Sequence, residues 1–298
     1  MSRWRFGHVI IDRVLELERT IFPLTTLYPT AQEELLAPHR DWLAPRVIDP
    51  AAGLLVLAFH TFVVRTPRRT ILVDTCSGND KPRPQKPRYH LARWPYLERL
   101  AAVGVTPESV DLVVFTHLHV DHVGWNTRLV DGRWIPTFPR ARDLFVRPEW
   151  EFWREEYKRP EFRDDPYYED SLFPVLDAGL VDLVEADHVL DEGVWLEATH
   201  GHTPGHVCVR VRGGGREAVM SGDLMHTAVQ CAEPDWSSCF CVDPEASRRT
   251  RRAFLERHAD TDTLILPAHF PTPGGGRVVR AGNSYRFVFD EVARAVSG

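Results

Sequence analysis

Four apolar, strand-like runs in this chain each end in a histidine or an aspartate, and this pattern constrains the fold more than any other feature of the sequence. In chain order, the runs are DLVVFTHLH, WLEATHGH, AVMSGD and TLILPAH. Helical or loop segments separate them, which is the alternation expected of an α/β protein. Because such sheets carry their chemistry at the carboxyl ends of strands, we expect the terminal side chains to converge on one site.

The first of these runs leads into THLHVDH, residues 116 to 122, which contains three histidines and an aspartate. His117 and His119 are two apart in an extended segment, so their imidazoles point to the same side. Asp121 and His122 follow where the strand has ended and the chain turns. This short peptide can therefore offer two ligands to one metal ion and two to a neighbouring ion. Imidazole and carboxylate groups together suit zinc and other borderline divalent ions.

The three later runs supply further candidate ligands. The Gly and Pro residues around His202 predict a tight turn from which its side chain projects, whereas His200 and His206 are interpreted as packing or supporting histidines. Asp223 follows a strand and a glycine, and a carboxylate with two oxygens is a natural bridge between two ions. His269 completes the set. A histidine-rich surface loop would not explain matching ligands after three later strands.

In this order, the motifs resemble those of the metallo-β-lactamase superfamily. They are the H-x-H-x-D-H segment, Gly201-His202, Gly222-Asp223 and Ala268-His269. The resemblance runs from about Thr70 to His269, and it implies an α/β fold, an αββα sandwich with a dinuclear metal site. In the LVDT stretch at 72 to 75, it implies a structural role for Asp74.

The resemblance also assigns ligands to each ion. It implies that one ion is held by His117, His119 and His202, and the other by Asp121, His122 and His269. Asp223 would bridge the two. The implied cofactors are two divalent ions per chain, for which Zn²⁺ is favoured and Mn²⁺, Fe²⁺ and Co²⁺ are alternatives.

Two ions side by side can lower the pKa of a shared water molecule, hold the resulting hydroxide and polarise the substrate oxygen. No Gly-x-Ser-x-Gly elbow is present in the sequence to offer a serine route. Asp121 is the candidate proton shuttle. The sequence thus predicts an enzyme, a dinuclear zinc-dependent hydrolase that uses a metal-bridging hydroxide on an ester-like small molecule.

Two details bear on the substrate. In acyl-homoserine-lactone lactonases a tyrosine commonly stands three residues after the bridging aspartate, and here His226 occupies that place. The stretches GDLMHTAVQ and AHFPTPGGGRVVRAGNSYRF are more similar to the methyl parathion hydrolase-like branch. The expected substrates are an aryl phosphotriester, a carboxylic ester or a lactone. An acyl-homoserine lactonase and a hydrolytic dehalogenase of an activated aryl compound are the alternatives.

His226 has two interpretations that the sequence does not separate. As a catalytic group, its imidazole would polarise the scissile group or donate a proton near neutral pH. As a supporting residue, it would orient Asp223.

The domain prediction is a single domain, 1–298, with an N-terminal extension at about 1–50 and an aromatic-rich insertion at about 138–180. The insertion contains RPEWEFWREEYKR, read as a helix that Pro148 opens, with Trp150, Trp153 and Tyr157 on one face. This stripe is interpreted either as core packing or as one wall of an apolar substrate pocket. The same alternatives apply to the residues 22–28 and to Phe162, Tyr167, Tyr168 and Phe173.

Charge and composition exclude several partners. With 36 Lys and Arg against 42 Asp and Glu, the net charge is -6, so neither nucleic acid nor a membrane is an expected partner. The absence of a basic, aromatic-interleaved surface argues against a nuclease of the same superfamily. The basic run Arg248, Arg249, Arg251 and Arg252 is expected on a solvated helix face. The five cysteines are expected to be reduced and mostly buried.

Two other roles for the metal site are alternatives to a dinuclear hydrolase: a structural role and that of an iron-based oxidative enzyme. Structural zinc sites are closed four-ligand cages, unlike a seven-ligand pair with oxygen donors, so a purely structural metal role is disfavoured. A relative of iron-based sulfur dioxygenases would use fewer ions.

No apolar stretch of signal-peptide length begins the sequence, so a cytoplasmic location is expected. Relatives in this branch are often homodimers, and the resemblance implies the same here.

Three local predictions concern the first third of the chain. The Thr30-Ala-Gln-Glu33 stretch predicts a capping box that opens a helix toward Trp42, which Pro38 would kink or end early. Residues 54–65 and 70–74 predict a hairpin. The three prolines between Asn79 and Arg88 predict an exposed loop.

Overall fold

A computed structural model of the chain describes residues 2–162 and 165–291, and in these residues two β-sheets stack face to face. The strands are β1 (Ser2–Phe6), β2 (Val9–Phe22), β3 (Leu55–Arg65), β4 (Thr70–Val73), β5 (Leu112–Val114), β6 (Thr127–Val130), β7 (Arg133–Pro136), β8 (Arg142–Val146), β9 (Val181–Val184), β10 (Val189–Asp191), β11 (Val194–Ala198), β12 (Val207–Gly213), β13 (Arg216–Gly222), β14 (Leu264–Pro267), β15 (Gly276–Ala281) and β16 (Ser284–Phe289).

The helices connect and cover these strands. The α-helices are α1 (Leu24–Leu27), α2 (Arg40–Leu43), α3 (Tyr96–Ala102), α4 (Arg147–Glu156), α5 (Tyr167–Ser171), α6 (Phe173–Asp177), α7 (Val229–Ala232) and α8 (Pro244–His258). Short 3₁₀ helices lie at Glu33–His39, Pro107–Ser109, Gly124–Asn126 and Pro160–Phe162. Among the described residues, no helix combines the length and the apolar composition that a membrane-spanning segment needs.

Each large sheet has seven strands. The first runs β1-β2-β3-β4-β5-β8-β9 and the second β10-β11-β12-β13-β14-β15-β16. In the first sheet, β4 pairs with β5, β5 with β8 and β8 with β9, all in parallel. In the second sheet, β13 pairs in parallel with β14. Predicted ligands therefore follow the carboxyl ends of β5, β13 and β14. The residues 1–50, predicted as an extension, include β1 and β2, which continue the first sheet beside β3.

Side chains alternate between two cores along the central strands, as the pleat requires. In β5, Leu112 and Val114 belong to the core between the sheets, whereas Val113 faces the outer core. In β14, Leu264 belongs to the core between the sheets and Ile265 to the outer core on the other side. Full burial of one such side chain stabilises the fold by roughly 1.5–3 kcal/mol.

Helices cover the outer face of both sheets. Tyr96 and Leu100 of α3 pack in one outer core with Leu72 of β4. Phe254 of α8 packs in the other outer core with Val219 of β13. The four layers follow the order helix, sheet, sheet, helix, so the predicted α/β class and αββα sandwich are confirmed.

Of the local predictions, the hairpin is confirmed, since β3 and β4 pair antiparallel. The capping box is wrong. A 3₁₀ helix, Glu33–His39, begins after Gln32 without a side-chain cap, and α2 follows it. Pro38 lies inside the 3₁₀ segment, and its missing N–H cannot support a continuous α-helix.

The loop after Asn79 is irregular, as predicted, and its prolines Pro82, Pro84 and Pro87 are exposed, but two of its positions depart from the prediction. Lys81 and Arg83 are fully buried. Asp170 explains this burial, because its carboxylate accepts hydrogen bonds from Lys81 Nζ at 3.2 Å and from both terminal nitrogens of Arg83 at 2.6 and 2.7 Å. Because a buried charge must be paired, this ion cluster fixes the base of the loop.

The basic run on α8 was expected on a solvated helix face, and one of its four arginines departs from this prediction. Arg251 is fully buried, and its guanidinium donates to the carbonyl oxygens of Leu224, Pro234 and Trp236 at 2.8–3.1 Å.

The cysteines follow the expectation at three positions: Cys76, Cys208 and Cys231 are buried, and Cys239 is exposed. Residues 163 and 164 of the predicted insertion lie outside the described residues.

Candidate metal centre

The strand ends bring all seven predicted ligands together. The side chains form two groups, and within each group the ligand atoms all lie within 4.8 Å of one another. The first group contains His117, His119, His202 and Asp223, and the second contains Asp121, His122 and His269. His200, which the sequence analysis set aside, is exposed and belongs to neither group.

Three imidazole nitrogens of the first group form a tight triangle. His117 Nε2 and His119 Nδ1 are 2.9 Å apart, and His202 Nε2 lies 3.1 and 3.0 Å from them. Three nitrogens bound to one tetrahedral zinc ion would be about 3.3 Å apart. The triangle therefore has nearly the size that a single bound ion requires.

The carboxylate of Asp223 connects the two groups. Its Oδ1 lies 3.1 Å from His269 Nε2 and 3.4 Å from His122 Nε2 in the second group. Its Oδ2 lies 3.5 Å from His202 Nε2 and 3.8 Å from His117 Nε2 in the first group. Each oxygen thus faces a different set of donors, which is the arrangement of a bridging ligand.

Unpaired buried atoms test whether these residues fit metal ions. Within the described residues, His122 Nε2 and Asp223 Oδ1 are buried and have no hydrogen-bond partner. Such groups are costly to bury unless something satisfies them. A cation between them would do so, and the nitrogen and oxygen donors suit a divalent ion. The residues present therefore fit a pair of ions.

Hydrogen bonds from Asp74 and Thr116 orient two of the histidines. His122 Nδ1 donates to Asp74 Oδ2 at 2.9 Å. The Thr116 hydroxyl donates its proton to the same oxygen at 2.9 Å, so it accepts from His117 Nδ1 at 3.1 Å. Both imidazoles therefore present Nε2 as the free acceptor, which is the tautomer that metal binding needs.

Two further histidines are held in the same way. His269 Nδ1 lies 3.1 Å from the carbonyl oxygen of Ala58, to which it can donate. His206, a supporting histidine in the sequence analysis, lies with Nδ1 3.1 Å from the carbonyl oxygen of Thr199. Its Nε2 then accepts from the backbone N–H of Asp223 at 3.1 Å. His206 thus fixes the backbone of the bridging residue.

Electrostatics favour the protonation state of a ligand at three of these residues. Burial lowers the pKa of His117 and of His202 well below the ordinary value, so both imidazoles are neutral. Burial alone would raise the pKa of Asp223, but His269 and His122 outweigh it and hold that pKa well below the ordinary value. Neutral imidazole and ionised carboxylate are the forms that bind metal ions. At His122 and His269, burial opposes protonation, but the negative charge of Asp223 outweighs it and raises the pKa.

Glu149 joins the two loops that carry the first group, and sequence reasoning missed it. From α4, its Oε1 accepts from the backbone N–H of Leu118 at 3.0 Å and from Trp153 Nε1 at 2.7 Å. Its Oε2 accepts from the backbone N–H of Gly205 at 2.9 Å. A Cβ at Gly205 would lie 2.3 Å from the Glu149 nitrogen, so the approach requires glycine.

We expect Glu149→Gln to loosen both loops. The new amide nitrogen cannot accept, so one buried N–H loses its partner at a cost of about 1–3 kcal/mol in the free energy of unfolding. Metal affinity should fall about 10- to 100-fold. Urea unfolding and competition with a chelator would measure these two effects. Glu151→Gln, at an exposed position of the same helix, is the control and should change neither.

His226 lies beside the bridging carboxylate. Its Nε2 is 3.2 Å from Asp223 Oδ2 and 3.2 Å from Ser238 Oγ. Its ring lies 5.0 Å from that of His202 and lines the cavity described below. The contact with Asp223 is the one that an orienting residue would make.

We therefore expect His226→Ala to lower metal content and turnover together, because Asp223 loses the imidazole that lies 3.2 Å from its Oδ2. Elemental analysis of the purified protein and kcat/KM on the same sample would measure both. Ser238→Ala removes only the other neighbour of Nε2 and should leave both near the wild-type values. Full metal content with a lowered rate would instead assign His226 a direct contact with the substrate.

A cavity of about 470 Å³ opens onto both donor groups. Its wall includes four of the aromatic residues named in the sequence analysis: Phe22, Trp153, Phe162 and Tyr167. Trp150, Tyr157 and Tyr168 pack in the outer core of the first sheet, as Trp153 and Tyr167 do, but are not among the residues that line the cavity. Phe173 is partly exposed at the surface.

Other residues of the cavity lining were not identified by sequence reasoning. The loop anchored by Asp170 contributes Gln85, Lys86, Pro87, Arg88 and Tyr89, and Phe240 also lines the cavity. The only signal in the sequence was the clustering of prolines, which predicts a loop but not its position over the site.

Comparison with known proteins identifies a family model. The model described as "Metallo-beta-lactamase superfamily" matches residues 59–269, more than half of the chain. The match includes all seven clustered side chains.

Two relatives carry the name N-acyl homoserine lactonase. One, from a Bacillus species, is 32% identical over 107 residues, which are 36% of this chain and 35% of the relative. The match therefore spans about a third of the length of that relative. The other, named AttM and from Rhizobium radiobacter, is 26% identical over 192 residues, 60% of this chain and 67% of the relative.

Two solved structures share the fold over nearly the full chain. A hydrolase described as a member of the beta lactamase superfamily has a TM-score of 0.77 at 24% identity, covering 97% of this chain and 98% of its own. A dizinc quorum-quenching lactonase, AidC, crystallised with a product, has a TM-score of 0.76 at 19% identity and covers 97% of each chain.

Proposed function

Because the chain belongs to the metallo-β-lactamase superfamily, we propose that it is a dinuclear metal-dependent hydrolase that acts on an ester-like small molecule. The observation that carries the proposal is the Asp223 carboxylate, with one oxygen toward each donor group at the base of a cavity. A site that only stabilised the fold would be a closed cage and would not open onto a cavity.

The two donor groups would each hold one ion, with Asp223 between them. The chemistry that two divalent ions supply is activation of water as a nucleophile and polarisation of a substrate oxygen. Zn²⁺ fits the donor set of imidazole and carboxylate best, since it takes nitrogen and oxygen ligands with no redox role.

Asp121 is suited to move a proton. Its Oδ2 lies 3.7 Å from His269 Nε2, and its side chain lines the cavity where a substrate would approach. A carboxylate in this position can take a proton from the attacking water at Oδ1 or Oδ2 and return it to the leaving group.

The cavity supports a small substrate with an apolar part. Its volume of about 470 Å³ lies within the range of small-molecule sites. Trp153, Phe162 and Phe22 offer aromatic surface to the cavity. The lactonase relatives make a lactone with an acyl chain the first substrate to test, with an aryl carboxylic ester and an aryl phosphotriester beside it.

The test is turnover by protein loaded with Zn²⁺. We expect about two ions per chain by elemental analysis. We expect hydrolysis of an N-acyl homoserine lactone or of the aryl carboxylic ester with a higher kcat/KM than hydrolysis of the aryl phosphotriester. Chelator-treated protein is the control and should be inactive until metal is returned. Protein that binds two ions but hydrolyses none of the three substrates would refute the proposal.

A further inference from the structure

Tyr89 is a buried residue of the cavity wall, and its hydroxyl has no hydrogen-bond partner among the described residues. Its side chain is only 7% exposed and lines the cavity with Asp121 and Asp223. Among the described residues, none forms a hydrogen bond with the Tyr89 hydroxyl, although its backbone N–H donates to Lys86. Tyr167, the other tyrosine of the lining, instead donates its hydroxyl proton to the carbonyl oxygen of Leu118 at 2.9 Å.

The ring of Tyr89 is held in a defined place. It packs edge-on against Phe59, with ring centroids 5.5 Å apart, and Phe59 packs against the ligand His269 at 4.8 Å. The backbone N–H of Tyr89 donates to the carbonyl oxygen of Lys86 at 2.9 Å. Because the loop is also anchored through Asp170, the ring has a fixed position relative to the second donor group.

We propose that the Tyr89 hydroxyl donates a hydrogen bond to the substrate oxygen that gains negative charge during hydrolysis. This inference rests on the proposed function. Attack of water oxygen on the carbonyl carbon forms a C–O bond and moves the carbonyl electron pair onto its oxygen. When the bond to the leaving oxygen breaks, that pair returns. Tyr89 keeps its proton throughout and stabilises the charged state between the two events.

The surroundings keep this donor protonated. Burial, together with the negative charge of Asp121, raises the pKa of Tyr89 well above its ordinary value. A phenol in that state keeps its proton at neutral pH and remains a hydrogen-bond donor. It needs no proton transfer to do so, which distinguishes its role from that of Asp121.

The test compares Tyr89→Phe with wild-type protein, both loaded with Zn²⁺. The substitution removes only an oxygen without a partner, so metal content and thermal stability should be unchanged. We expect kcat/KM for the best substrate to fall by about 100-fold. The dissociation constant of phenylphosphonate, an aryl oxyanion used as a probe in calorimetry, should rise by about 10-fold. Tyr96→Phe, which removes a buried hydroxyl bonded to Thr61 outside the cavity, is the control and should change neither.

The two readouts separate this inference from the proposed function. Unchanged phenylphosphonate affinity in Tyr89→Phe would overturn the inference, and so would unchanged kcat/KM for a substrate that the wild-type protein hydrolyses. If wild-type protein hydrolyses none of the substrates but Tyr89→Phe still weakens phenylphosphonate binding, the contact of Tyr89 with a bound oxyanion stands and the proposed function fails.

Discussion

Replacement of Asp223 by asparagine is expected to lower the metal content below two ions per chain and to reduce kcat/KM by more than about 1000-fold. Both carboxylate oxygens are committed, one to each donor group, at 3.1–3.8 Å from four histidine nitrogens. Asparagine keeps one oxygen but turns an NH₂ group toward the other set of donors. That group cannot bind a cation, so one of the two ions loses its shared ligand.

Elemental analysis and steady-state kinetics on the same Asp223→Asn sample would measure this effect. The matched control is Asp143→Asn, which changes a buried carboxyl group of β8 that belongs to neither donor group and does not line the cavity. Burial raises the pKa of Asp143 well above its ordinary value, so asparagine is close to its neutral form. Full metal content and turnover in Asp223→Asn would contradict the bridging assignment.

The candidate ligands could be predicted because each follows a strand. His117, Asp223 and His269 come shortly after β5, β13 and β14, whose apolar runs are visible in the sequence. The rule that strands deliver chemistry at their carboxyl ends then brings together residues distant along the chain. The alternation of apolar strands with helical segments predicted the α/β class, whereas the αββα order of the layers came from the resemblance to the family.

The residues that support the ligands could not be predicted, because their partners depend on tertiary contacts. Glu149 accepts from backbone groups 31 and 56 positions away, and nothing near it in the sequence marks a carboxylate between two loops. Lys81 and Arg83 are buried only because Asp170 lies against them. The same ion cluster anchors the loop that precedes Tyr89, which lines the cavity, and proline content alone does not place that loop over the site.

Asp121→Asn is expected to separate metal binding from turnover. Asp121 lies at the margin of the second group, with Oδ2 3.7 Å from His269 Nε2 and Oδ1 4.0 Å from His122 Nε2, and it is more exposed than either histidine. Asparagine keeps the size and one oxygen of the side chain, so the second ion should still bind. It cannot take up a proton, and kcat/KM should therefore fall by about 100- to 10,000-fold.

Metal content, thermal stability and kcat/KM of Asp121→Asn would be compared with those of Asp223→Asn, which should lose metal as well as activity. The contrast follows from position: Asp223 is enclosed by histidines of both groups, whereas Asp121 faces the cavity where the substrate and water enter. Full turnover by Asp121→Asn at unchanged metal content would remove Asp121 as the proton shuttle. His119, a half-buried histidine that lines the cavity, would then be the next group to test, because its Nδ1 faces the first donor group and its ring is partly exposed.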